Sequence, residues 1–89
     1  MAFIRSKRTS AGTVYQVVRS VRVGGVPRQA MLCSLGRFQT ITGALRFERA
    51  GLAHIASLPG TSPWTESETA RHQARIAVLE RLQAETGLA

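Results

Sequence analysis

The sequence predicts an α+β fold, a three-stranded antiparallel β-meander followed by two helices packed on one face of the sheet. Three observations carry that prediction. Residues 2–35 form extended runs rich in β-branched residues, interrupted only by Ser10-Ala11-Gly12 and Gly24-Gly25. After Gly36 the apolar residues change to helical spacing. "SLPGTSP", residues 57–63, then divides the helical half in two. With 89 residues the chain reads as a single small domain: a meander (1–36), a helical segment (37–60) and a C-terminal helix (61–89).

The strands are expected at about Ala2–Thr9, Thr13–Val23 and Val26–Leu35. Ser10-Ala11-Gly12 reads as a three-residue loop with glycine in a left-handed conformation, and Gly24-Gly25 as a two-residue type I′ turn. Pro27 is tolerated because strand three is an edge and its nitrogen points away from strand two. The tight turn sets Val21 opposite Arg28, Arg19 opposite Ala30 and Val17 opposite Leu32. The longer loop sets Lys7 opposite Tyr15, Arg5 opposite Val17 and Phe3 opposite Arg19. Side chains alternate across a strand. One face therefore collects Arg5, Lys7, Tyr15, Arg19 and Arg28 among Val17, Val21 and Leu32. The other collects Ile4, Val14, Val18, Met31, Cys33 and Leu35, the expected floor for a helix.

Thr40 or Thr42 is placed to cap a first helix running to about Leu58, with Leu45, Leu52, Ile55 and Ala56 as its apolar stripe. Gly43 and Gly51 weaken it, and a break or a short first piece is expected near residue 43. Thr65 and Glu68 form a capping box for the second helix, which runs to a stop at Gly87.

Charge is the strongest functional signal. The chain has a net charge of +7, and its eight basic residues before Glu48 (Arg5, Lys7, Arg8, Arg19, Arg22, Arg28, Arg37 and Arg46) are accompanied by no acid. All five acids are glutamates from Glu48 onward. Codon bias toward arginine does not explain missing acids; an anion-binding surface does, and nucleic acid is the commonest such anion. Arginine outnumbers lysine eleven to one, which suits bidentate contacts to phosphate and guanine. The candidate nucleic-acid-binding residues are Arg5, Lys7, Arg8, Tyr15, Arg19, Arg22, Arg28 and Arg37. Arg19 and Arg28 would reach bases, while Arg5, Lys7 and Arg8 would suit backbone contacts.

Enzyme chemistry is not expected. Cys33 falls among apolar residues as a small hydrophobe. His54 reads as a helix-face residue, and His72, four after Glu68, as half of a surface pair. One cysteine and two histidines give no zinc spacing, no paired acids exist in the first half, and no glycine-rich phosphate loop occurs, so no cofactor or metal is expected. Trp64, the only tryptophan, reads as a hydrophobic staple or as an exposed anchor for a partner protein. There is no apolar run long enough for a membrane span and no signal-peptide core, so a cytoplasmic protein is expected. A chain this small buries only roughly 60–65% of its unfolded surface, which leaves a homodimer or other partner as a further source of stability.

Residues 15–37, "YQVVRSVRVGGVPRQAMLCSLGR", after the opening Phe3, Ile4 and Arg5, present Tyr15, Val18, Ser20, Arg22, Gly25, Arg28, Gln29, Leu32, Leu35 and Gly36 in that order. This stretch resembles the N-terminal segment of insertion-sequence DDE transposases, without the catalytic domain. The resemblance covers roughly the first 40% of the chain. It implies a mobile-element origin and DNA contact, but no transposition chemistry. The expected function is a small non-enzymatic accessory protein that contacts duplex DNA through the basic face of its sheet. The alternative is a mobile-element or phage inhibitor or adaptor that binds a host protein or ribonucleoprotein complex, as anti-CRISPR proteins do.

Overall fold

Two tight turns build the sheet. At Gly24-Gly25 both residues have positive φ, 58° and 80°, the type I′ geometry that matches strand twist. It joins β2 (Gly12–Val23) to β3 (Val26–Gly36), with Val23 paired to Val26 and Val21 to Arg28 as expected. The first turn is tighter than the sequence suggested. Thr9 Oγ1 donates to the Gly12 carbonyl at 2.8 Å and accepts from the Ala11 amide at 3.3 Å, so only Ser10 and Ala11 loop out. Gly12 is a paired strand residue at φ 125°, a conformation that glycine alone adopts freely. β1 (Ala2–Thr9) consequently slides by one residue, placing Ile4 opposite Val17, Arg5 opposite Gln16 and Lys7 opposite Val14. A one-residue slip turns every β1 side chain to the other face.

β3 adds two irregularities of its own. Between the Val18–Met31 and Val17–Cys33 pairs Leu32 is an extra residue, and between Gln16–Ser34 and Tyr15–Gly36 Leu35 is another. The expected Val17–Leu32 pair is thus replaced by Val17–Cys33. Together the slip and the bulges correct the face assignment. The face under the helices carries Ile4, Tyr15, Val17, Cys33 and Leu35, not Val14, Val18 and Met31.

The computed structural model describes all 89 residues, in the order β1-β2-β3 followed by α1 (Ile41–Ser57) and α2 (Pro63–Thr86). The sequence-predicted α+β architecture is therefore the observed one. α1 is capped by Thr40, whose hydroxyl accepts from the Gly43 amide at 3.0 Å, and it passes through Gly43 and Gly51 without the expected break. α2 starts a turn earlier than Thr65: Ser62 is the N-cap, Pro63 opens the helix and Thr65 closes the capping box. It stops as expected at Gly87, φ 70°.

The core is one cluster, in which Val17, Cys33 and Leu35 of the sheet meet Ile41, Ala44 and Leu45 of α1 and Leu79 and Leu82 of α2. The helices meet each other over a polar notch. Glu48 and Gly51 lie one turn apart on α1, and the His72 imidazole of α2 fills the space between them. A Cβ at Gly51 would stand 2.8 Å from His72 Cε1, which accounts for glycine inside a helix. No helix is long and apolar enough to cross a membrane.

Candidate nucleic-acid interface

The helices cover only the end of the sheet that carries Tyr15, Val17, Cys33 and Leu35. β1 pairs as far as Met1, whose carbonyl accepts from the Ser20 amide at 3.2 Å; beyond it only β2 and β3 continue. From Arg19 to Gln29 every residue is exposed. The hairpin is therefore a two-stranded ribbon projecting from the body. Its projection gives the molecule extents of 55 × 30 × 22 Å and a radius of gyration of 15.7 Å, against about 12 Å for a compact domain of this length.

The ribbon carries Arg22 and Arg28, with Arg19 at its root between Ala2 of β1 and Ala30 of β3, and the Val23–Val26 pair at its tip is 62% and 52% exposed. Arg22 NH1 donates to the Gly25 carbonyl at 3.4 Å, tying it across the turn. Behind the ribbon, the helix-free face of the sheet carries Arg5 and Lys7, set opposite Gln16 and Val14, along with Ser20, Gln29 and Ser34. Arg5 Nε donates to Gln16 Oε1 at 3.0 Å and its NH1 to Gln29 Oε1 at 2.6 Å.

The predicted site residues are thus divided rather than gathered on one face. Arg5, Lys7 and Arg22 stand on the helix-free side. Arg8, Tyr15, Arg19 and Arg28 stand on the side that faces the helices, with Arg19 and Arg28 past the last core residue, Val17. The slip of β1 moves Arg5 and Lys7 away from Arg19 and Arg28, because the expectation that they share a face rested on the longer loop, whereas Arg22, three along β2 from Arg19, faces the other side by alternation alone. Tyr15 packs against the core and its hydroxyl accepts from Gln39 Nε2 at 3.2 Å, so it is a packing residue of the covered face. Arg37 stacks at the β3–α1 junction, 5.1 Å from the Phe38 ring centroid and 5.5 Å from that of Phe47.

The electrostatics keep their asymmetry in space. Every ion pair lies within the helices: Glu48 with His72, Glu68 with Arg71 and His72, Glu80 with Arg49 and Glu85 with Arg81. The hydrogen bond from Arg71 holds the Glu68 carboxyl below its ordinary pKa. No cation of the sheet meets a carboxylate. Arg75, from α2, is directed inward, donating to Cys33 Sγ at 2.8 Å and to the Ser34 carbonyl.

His72 differs from its sequence reading, and Trp64 from one of its two. His72 is buried, 7% exposed, with Nδ1 donating to Glu48 Oε2 at 2.5 Å, because α1 supplies a carboxylate 24 positions away that spacing does not reveal. Trp64 lies within the first turn of α2 and is 59% exposed, so it forms no staple before the helix. Gln16 and Gln29 were not among the candidates, since charge counting passes over amides. Their signal in the sequence was positional, and it required the correct first turn. Compared with known proteins, the chain matches no family model, no curated protein and no solved structure.

Proposed function

We propose that this protein binds duplex DNA without enzymatic chemistry, through the projecting β2–β3 ribbon and the helix-free face behind it. The observation that carries the reading is the separation of charge: Arg19, Arg22 and Arg28 extend on an exposed ribbon while every glutamate lies on the helices. A major groove about 12 Å wide admits a two-stranded ribbon. The helix-free face supplies Arg5 and Lys7 to the same groove, and Arg19 at the root of the ribbon and Arg28 on its edge strand supply charge for flanking phosphates from the other side of the sheet. The resemblance of residues 15–37 to the N-terminal segment of insertion-sequence DDE transposases supports a mobile-element setting for this binding.

Five cations, Arg5, Lys7, Arg19, Arg22 and Arg28, are available to displace counterions. Titrating a fluorescent duplex at increasing salt should give a log–log slope of about −4 to −5. An affinity indifferent to salt, or no binding even in dilute buffer, would refute the reading.

A further inference from the structure

One side chain on the helix-free face is held as its neighbours are not. Arg5 starts opposite Gln16, yet its NH1 reaches Gln29, which pairs with Ser20. The path between those two rungs crosses Val18. Val18 is fully buried although no helix covers its face, and Phe3 and Met31 flank it as its cross-strand partners. The arginine therefore lies flat across the middle of the sheet, tied at Nε by Gln16 and at NH1 by Gln29.

Two of the five guanidinium N–H groups are used in this way, leaving NH2 and one N–H of NH1 for a further acceptor pair. Both holding groups are neutral amides, so the positive charge is not cancelled. Each amide oxygen faces Arg5, which leaves the amide NH₂ groups as additional donors. Lys7 and Arg22 share the face, and no carboxylate does. The cluster is rich in donors and calls for a ligand rich in acceptors.

We infer that Arg5 is the specificity-determining residue of the interface and pairs with O6 and N7 of a guanine in the major groove. The inference rests on the duplex-binding reading above. Position separates the guanine edge from a phosphate, the other planar acceptor pair available on DNA. A sheet face seated in the groove puts its margins over the backbones and its centre over base edges, and the Arg5 side chain, rooted on edge strand β1, carries its guanidinium over the centre between Gln16 and Gln29. Immobilisation adds to this. A phosphate contact tolerates a mobile side chain, whereas a guanidinium ordered in advance by two hydrogen bonds loses little further freedom on meeting a fixed acceptor pair.

The test is selection of sites from a randomised duplex pool by the full chain, followed by affinities for the selected site. Guanine should be enriched at one position at least. Replacing that guanine with 7-deazaguanine, which lacks the N7 acceptor, should weaken binding roughly 5- to 100-fold. Arg5→Lys keeps the charge but not the fork, so it should flatten the preference while binding to random duplex changes only a few-fold. Gln29→Glu keeps the shape but neutralises Arg5, and should flatten the preference with the melting transition retained. A selection without guanine, or a guanine preference that survives in Arg5→Lys, overturns the assignment. In either case salt-dependent binding to random duplex would still stand, which separates this failure from failure of the duplex-binding reading itself.

Discussion

Replacing Arg19, Arg22 and Arg28 together with alanine should weaken duplex binding by roughly 10²–10³-fold near 0.1 M salt, the loss expected for about three phosphate-level contacts. The log–log salt slope should become shallower by about 2.7 for the same reason. The three residues lie on the exposed ribbon, beyond the core cluster of Val17, Cys33 and Leu35, and none forms an ion pair. Surface changes of this kind usually alter stability by no more than about 0.5 kcal/mol each, so the melting transition should stay close to that of the parent chain. Affinity and stability are thereby separated. A variant that melts normally and binds as tightly as the parent would remove the ribbon from the interface.

The largest stability effect is expected at the opposite end of the molecule. His72→Ala removes the ring that fills the seam between α1 and α2 and leaves Glu48, whose side chain is 13% exposed, without its partner. A carboxylate stranded at a nearly buried position costs more than the lost hydrogen bond, because it keeps its desolvation without compensation. Some solvent still reaches Glu48, so about 2–3 kcal/mol is expected rather than the full cost of a broken buried pair. In a domain of this size that lowers the melting temperature by roughly 10–20 °C. A second substitution locates the effect. Gly51→Ala alone collides with the ring, 2.8 Å away from the new methyl, but should be tolerated once the ring is gone. Thermal melts of both single variants and the double variant measure that coupling. Additive losses would mean that Gly51 is there for some other reason.

The strand count, the Gly24-Gly25 turn, the two helices and their Gly87 stop were all legible, because each rests on local chemistry that no distant residue overrides. The face assignment was not legible, and it failed at the first turn and at the bulges of β3. Ser10-Ala11-Gly12 is compatible with two loop lengths, and the choice is settled by the Thr9 hydroxyl bridging to Gly12 and by Gly12 at φ 125°. One residue of slip sent Arg5 and Lys7 to the face opposite Arg19 and Arg28. Bulges at Leu32 and Leu35 then brought Cys33 and Leu35 under the helices beside Val17, which a regular ladder would not do.

The candidate site shows the same division between local and distant information. That the amino-terminal half is basic and acid-free is plain from composition, and the structure adds that all five glutamates lie on the helices, four of them in ion pairs there. That Arg5 is held by Gln16 and Gln29 depends on three strands at once, with partners 11 and 24 positions away. His72 presents the same problem. Its spacing from Glu68 is visible in the sequence, but its closer partner, Glu48, arrives only when the helices pack.

Amide chemical-shift mapping during titration with a short duplex reads out where DNA meets the sheet. Perturbations should concentrate on Phe3–Arg8, on Gln16–Arg22 and on Val26–Met31, with the exposed surfaces of α1 and α2 unchanged. Perturbations centred on Trp64 and the helices, or none in the ribbon at saturating DNA, would contradict DNA binding through the sheet.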